Sequence, residues 1–81
     1  MVQETIRSYL AQISGLVDIA DDVALFDHGY LDSLQAMELA LFVADAFGVE
    51  VSQDDMRIEN FASIEATAAF VERKRNPAVG P

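Results

Sequence analysis

Apolar residues recur at three- and four-residue intervals in separate stretches of this chain, and the segments between them keep no sustained period. Such spacing marks helices with one buried face. Over residues 2 to 14, Val2, Ile6, Tyr9, Leu10 and Ile13, followed by Leu16, share a side, while Gln3, Glu4, Arg7, Ser8 and Gln12 face away. This predicts a first amphipathic helix, stopped at Gly15. Leu16 to Leu31 reads as a long connection, and loops of that length in a small domain are usually pinned or functional. Val23, Leu25 and Phe26 are its apolar pins, and Gly29 supplies the backbone freedom to turn into the next helix.

Asp32 and Ser33 then open the most apolar helix, whose periodic run from Leu34 to Phe47 has no Gly or Pro and stops at Gly48. Counted at about 100° per residue from Ser33, the residues Ala36, Leu39, Ala40, Val43, Ala46 and Phe47 fall within roughly 220° to 340°, a core face. Leu34, Met37 and Leu41 lie on the opposite side, flanked by Glu38 and Asp45. A chain this short cannot easily cover both faces, so this second row is predicted to stay exposed. An exposed apolar row rimmed by acids fits a docking surface. The competing accounts are that the 16–31 connection folds over it or that the chain dimerises.

Ser52-Gln53-Asp54-Asp55 is a capping signature for a short element running to about Glu59, with Met56 and Ile58 pointing inward. Ser63 caps a last helix with Ile64, Ala68 and Val71 as its buried stripe, Phe70 beside them, and Phe61 packing back onto the following turn. Arg73, Lys74 and Arg75 close that helix with positive charge at the negative end of its dipole. The predicted fold is all-α: a small four-helix bundle with a long first loop and a short third helix. Residues 1–75 form the domain, and 76–81, with two prolines and a glycine, form a flexible tail.

Eighty-one residues bound the chain to one small domain, and 52% hydrophobic content is enough to fill a core. With no cysteine there is no disulfide framework, thiolate nucleophile or Cys-based metal site. Met1-Val2-Gln3-Glu4 does not read as a signal peptide, and no apolar run reaches membrane-spanning length. The expectation is a cytoplasmic monomer. Charge sharpens the picture. The net value is −9, and residues 8 to 56 hold ten acids without one Lys or Arg. Such a surface repels nucleic acid and anionic lipid and attracts basic partners.

Ser33 is where chemistry concentrates. The plainest account of Asp32-Ser33 is a helix cap. A sharper one is covalent attachment at the Ser33 hydroxyl, because a helix N-terminus favours phosphate. His28, near Asp27, Asp32 and Ser33, allows a Ser-His-Asp hydrolase on inventory alone, but the chain lacks a Gly-x-Ser-x-Gly elbow and a candidate oxyanion loop. Without those features His28 reads instead as an exposed neighbour of the attachment site. Asp18, Asp21, Asp22 and Asp27 are dense in carboxylates without the Asp-x-Asp-x-Asp-Gly loop of a calcium site.

The run Leu25-Phe26-Asp27-His28-Gly29-Tyr30-Leu31-Asp32-Ser33-Leu34, followed by Ala46-Phe47-Gly48-Val49-Glu50-Val51, resembles the acyl and peptidyl carrier proteins over about Thr5 to Arg73. The resemblance implies a non-enzymatic carrier in which Ser33 bears covalent 4'-phosphopantetheine and Asp32 positions the site. The arm holds an acyl or aminoacyl group as a thioester. Leu34, Met37, Glu38, Leu41 and Asp45 would then meet partners: a phosphopantetheinyl transferase, an adenylating or acyltransferase loading enzyme, and downstream synthase or tailoring enzymes. No metal, nucleic acid or membrane is implied. Tyr30 and Leu31 both stand between Gly29 and Asp32, a spacing similar to freestanding carriers of aminoacyl groups, including the D-alanyl type, or of polyketide extender units. Gln35 and Ala44, where fatty-acid carriers frequently have acids, favour polyketide or nonribosomal-peptide secondary metabolism. The short N-terminus and the ending after Arg75 suggest a discrete protein, although an excised synthase module would look similar. The rival from another class is an unmodified acidic helical interaction module.

Overall fold

The computed structural model describes residues 2–15, 18–27 and 29–75. Among them the chain forms three α-helices, α1 (Val2–Ser14), α2 (Ser33–Phe47) and α3 (Ile64–Arg75), with two 3-10 turns, Gln53–Asp55 and Ile58–Phe61, between α2 and α3. No strand occurs among the described residues. Leu16, His28 and the expected tail at 76–81 lie outside them.

Each α-helix forms where apolar period and end chemistry agree. Val2, Ile6 and Leu10 bury the inner face of α1, and the Gly15 amide closes its end by donating to the Ala11 carbonyl at 3.0 Å. α2 buries Leu39, Ala40 and Val43 and ends at Gly48, whose φ of 64° is left-handed backbone that a glycine takes without strain. α3 starts where Ser63 Oγ accepts from the Ala66 amide at 3.0 Å, and buries Ile64, Thr67, Ala68, Phe70 and Val71. Thr67 is satisfied in the interior, its hydroxyl donating to the Ser63 carbonyl at 2.8 Å. These faces meet in one core, completed by Leu25 and Leu31 from the connection and by Phe61, whose ring tilts against Phe70 at 5.4 Å between centroids.

The described part of the long connection is tied down by its backbone. The Leu25 amide donates to Ala62 at 2.8 Å, the Tyr30 and Leu31 amides both donate to the Leu25 carbonyl, and the Glu65 amide donates to Asp21 at 2.8 Å. Arg7 adds an ion pair to Asp21 and a bond to the Ile19 carbonyl. Of the predicted pins, Leu25 is fully buried and Val23 and Phe26 are half-buried.

Three expectations need correction. The short third helix is absent as such, because side chains and a tight backbone turn take the carbonyls that a continuing helix would need. The Asp55 carbonyl accepts from Asn60 Nδ2 and from the Arg57 amide, both at 2.8 Å, and the Asp54 carbonyl accepts from Arg57 Nε at 3.1 Å. Ser52 does cap, its amide and hydroxyl both donating to Asp55 Oδ2 at 3.0 Å, but what it opens is a single 3-10 turn. Met56 and Ile58 consequently do not point inward. Arg57 between them is extended, Met56 and Ile58 are 40% and 64% exposed, and Phe61 takes the interior position. Ala46, at the margin of the core arc and in the last turn of α2, is exposed. Phe42 shows that α2 serves a third direction: its ring stacks on Tyr9 of α1 at 4.1 Å and 9°.

Candidate functional site

Asp32 holds the entrance to α2 with both ends of its residue. Its Oδ1 accepts from the Gln35 amide at 2.8 Å, and its own amide donates to Gln35 Oε1 at 3.2 Å. This is a reciprocal capping box with Gln in the reaching position. The Gln35 Nε2 then donates to Ser14 Oγ at 3.1 Å, fastening the start of α2 to the end of α1. One residue upstream, Leu31 is buried in the core, so the helix mouth rests on a fixed base. Because the box satisfies the amides of Asp32 and Gln35, those of Ser33 and Leu34 are left without an intrahelical acceptor.

Ser33, the first helical residue, is exposed, and its hydroxyl has no hydrogen-bond partner among the described residues. It opens on a cleft of ≈160 Å³ lined by Phe26, Ala36, Met56, Arg57, Ile58 and Phe61. The walls are apolar apart from Ser33 and Arg57. An exposed primary hydroxyl on a capped helix mouth, opening on a cleft that Arg57 also lines, suits a covalently attached, phosphate-linked arm.

The outer row lies where its angular positions put it. Leu34, Met37 and Leu41 are 65%, 51% and 66% exposed, and Glu38 and Asp45 are exposed beside them. Met37 and Leu41 also border a groove of ≈310 Å³ whose far wall is Val51, Ser52, Gln53 and Met56. Glu38 has a second role through its backbone, since its carbonyl accepts from the Tyr9 hydroxyl at 3.3 Å. Burial, and secondarily the Glu38 charge, push the Tyr9 phenol above its ordinary pKa. Ser33, Asp32 and the row thus gather at one end and one side of α2, while Asp45 sits toward the far end of the helix.

Asp32 spends its carboxylate on the cap, and His28, the remaining member of the Ser-His-Asp inventory, lies outside the described residues. No group of three or more His, Cys, Asp or Glu among the described residues could hold a metal ion, and Asp21 is paired with Arg7. None of the described helices is long and apolar enough to cross a membrane.

Arg57 and the apolar wall around it were missed by sequence reasoning. The signal available was that Arg57 is the first cation after the acidic window, but its closeness to Ser33 depends on the 3-10 turns folding back beside α2. The Arg73–Lys74–Arg75 cluster does more than end a helix. Lys74 Nζ lies 2.7 Å from Asp55 Oδ2 and Arg73 donates to Asn60 Oδ1 at 3.0 Å, so α3 anchors the segment that carries the cleft wall. Lys74, followed by the Ser52 donors, holds the Asp55 carboxyl down at about 2.

The family profile described as "Phosphopantetheine attachment site" matches residues 4–71. A segment of the non-reducing polyketide synthase stbA of Stachybotrys bisbyi is 41% identical over 61 residues, which is 73% of this chain and 3% of that protein. The D-alanyl carrier protein of Enterococcus faecalis (strain ATCC 700802 / V583) is 32% identical over 56 residues, 67% of this chain and 72% of that protein. The chain therefore spans a small fraction of the synthase and most of the smaller protein.

Proposed function

The chain belongs to the phosphopantetheine-attachment family, whose members bear 4'-phosphopantetheine covalently on a serine, and from that membership we propose that Ser33 is the attachment point and that the domain is an acyl or aminoacyl carrier. One observation carries the assignment: the Ser33 hydroxyl stands exposed and unbonded on the first turn of α2, at the mouth of a cleft and at the head of an exposed apolar row.

In the proposed modification Ser33 Oγ gives up its proton to a base on a phosphopantetheinyl transferase and bonds to the phosphorus of coenzyme A. The adenosine 3',5'-bisphosphate half leaves as the old P–O bond breaks. Asp32 contributes by fixing the first turn through its capping box, so that the hydroxyl is presented in one orientation. Once attached, the arm supplies a terminal thiol that can hold an acyl or aminoacyl group as a thioester. The domain itself supplies an anchor, a high local concentration of tethered cargo, and a recognition surface. Leu34, Met37, Glu38, Leu41 and Asp45 form that surface, their apolar centre excluding water and their acids steering basic partners.

The partners on this reading are the transferase, an adenylating or acyltransferase loading enzyme, and the synthase or tailoring enzymes that take the cargo onward. Service in polyketide-type metabolism is supported by the polyketide synthase relative, an aminoacyl cargo by the D-alanyl carrier named in the Enterococcus relative, and the Tyr30-Leu31 spacing is compatible with either. The test is incubation with coenzyme A and a promiscuous transferase, followed by intact-mass measurement. The expected result is one phosphopantetheine adduct on the wild type and none on Ser33→Ala of unchanged helicity. An unmodified wild type, or an undiminished adduct on Ser33→Ala, defeats the assignment and leaves the unmodified interaction module.

A further inference from the structure

The cations of this protein are few, and most are engaged. Arg7 pairs with Asp21, Lys74 with Asp55, and Arg73 donates to Asn60. Arg57 differs from them. It lines the cleft on which Ser33 opens, and among the described residues it has no carboxylate partner. Its Nε is spent on the Asp54 carbonyl at 3.1 Å, which restrains the guanidinium, and its two terminal amino groups offer four N–H donors with no acceptor among the described residues. The cleft walls around it, Phe26, Met56, Ile58 and Phe61, offer no side-chain oxygen.

We propose that Arg57 is the counter-ion of the phosphodiester carried by Ser33, clamping the arm's anionic root onto the cleft wall and setting the direction in which the arm leaves α2. The inference rests on the Ser33 assignment above. The chemistry recognised is a phosphodiester, whose two unesterified oxygens match the paired donors of a guanidinium and suit it better than a point-charge ammonium. Electrostatics favours the same pairing. The modification adds negative charge to a domain already at −9, at a place where residues 8 to 56 contribute ten acids and no cation. Arg57 is the cation that shares the cleft with Ser33 and offsets that charge.

The test uses the ¹⁵N-labelled full chain before and after enzymatic loading, with each adduct verified by mass. On loading, the Arg57 Nε–H resonance and the amides of Met56 and Ile58 are expected to shift, and the shift is expected to shrink as salt is raised. The phosphorus resonance of loaded Arg57→Gln is expected to move away from that of the loaded wild type, with Arg57→Lys lying between them. Unchanged spectra of the unloaded variants outside residues 56–58 separate this effect from a rearranged turn. Loaded protein in which the Arg57 Nε–H is unmoved and the phosphorus resonances of wild type and Arg57→Gln coincide overturns the clamp while leaving the attachment intact. A wild type that takes no adduct overturns both.

Discussion

Replacing Asp55 by Asn tests how the cleft wall is held. Asp55 ends the first 3-10 turn, immediately before Met56, Arg57 and Ile58, and its carboxylate receives Lys74 Nζ at 2.7 Å and the Ser52 amide and hydroxyl at 3.0 Å. A carboxyl held at about 2, where its ordinary value is 3.8, corresponds to about 2.4 kcal/mol of preference for the charged group in the folded state. The Lys74 and Asp55 side chains remain 31% and 21% exposed, so screening by solvent brings the expected contribution to about 1 kcal/mol. The folded-state pKa is depressed. The stabilisation is therefore complete above the unfolded value and is lost as pH falls from about 4 through about 2. Urea denaturation followed by circular dichroism should show Asp55→Asn less stable than wild type by about 1 kcal/mol at neutral pH, or about 4–8 °C in Tm. The gap should close near pH ~2. Acidification also relieves the repulsion of a strongly acidic surface, so the informative quantity is the difference between the two proteins. Lys74→Met should cost a similar amount, and the double variant should lose less than the sum. A gap that is absent at neutral pH, or that persists unchanged at low pH, refutes the electrostatic account of this anchor.

Other expectations follow from the same structure. Asp32→Ala removes the acceptor of the Gln35 amide and should cost about 1 kcal/mol by denaturation, whereas Asp32→Asn, which can still accept that bond, should cost a few tenths of that. Leu39→Ala, fully buried, should destabilise by about 2–5 kcal/mol, while Leu41→Ala, 66% exposed, should stay within about 0.5 kcal/mol. Equal losses at the two positions would show that the outer row of α2 is covered in solution. A Leu41→Ala protein that keeps its stability should bind the transferase more weakly, measured as a raised KM for carrier in the loading reaction.

Local rules carried the sequence reading far. The three α-helices, the stops at Gly15 and Gly48, and the Ser63 cap all depend on residues three or four apart, and all stand in the structure. The exposed Leu34–Met37–Leu41 row was legible for a related reason, because one turn of helix fixes which side chains share a side. A third helix fails because side-chain donors compete with backbone amides for the carbonyls after Ser52, a competition that propensity and period do not register. Asn60 and Arg57 take carbonyls that a third helix would have used, and the failure of that helix turns Met56 and Ile58 outward. Phe42 found its partner in Tyr9, 33 positions earlier, which no periodicity along one helix could reveal.

What the sequence by itself determined is the set of helices and the placing of Ser33 at a capped, polar entrance to the most apolar of them, since propensity, period and capping act within a single turn. Only the tertiary structure decided what faces that serine. Lys74 reaches Asp55 across 19 positions and holds the 3-10 segment in place, and that segment carries Met56, Arg57 and Ile58 to the side of α2. A cleft lined by both Ser33 and Arg57 arises from chain segments distant in sequence, and pattern within any one of them says nothing about how closely they approach.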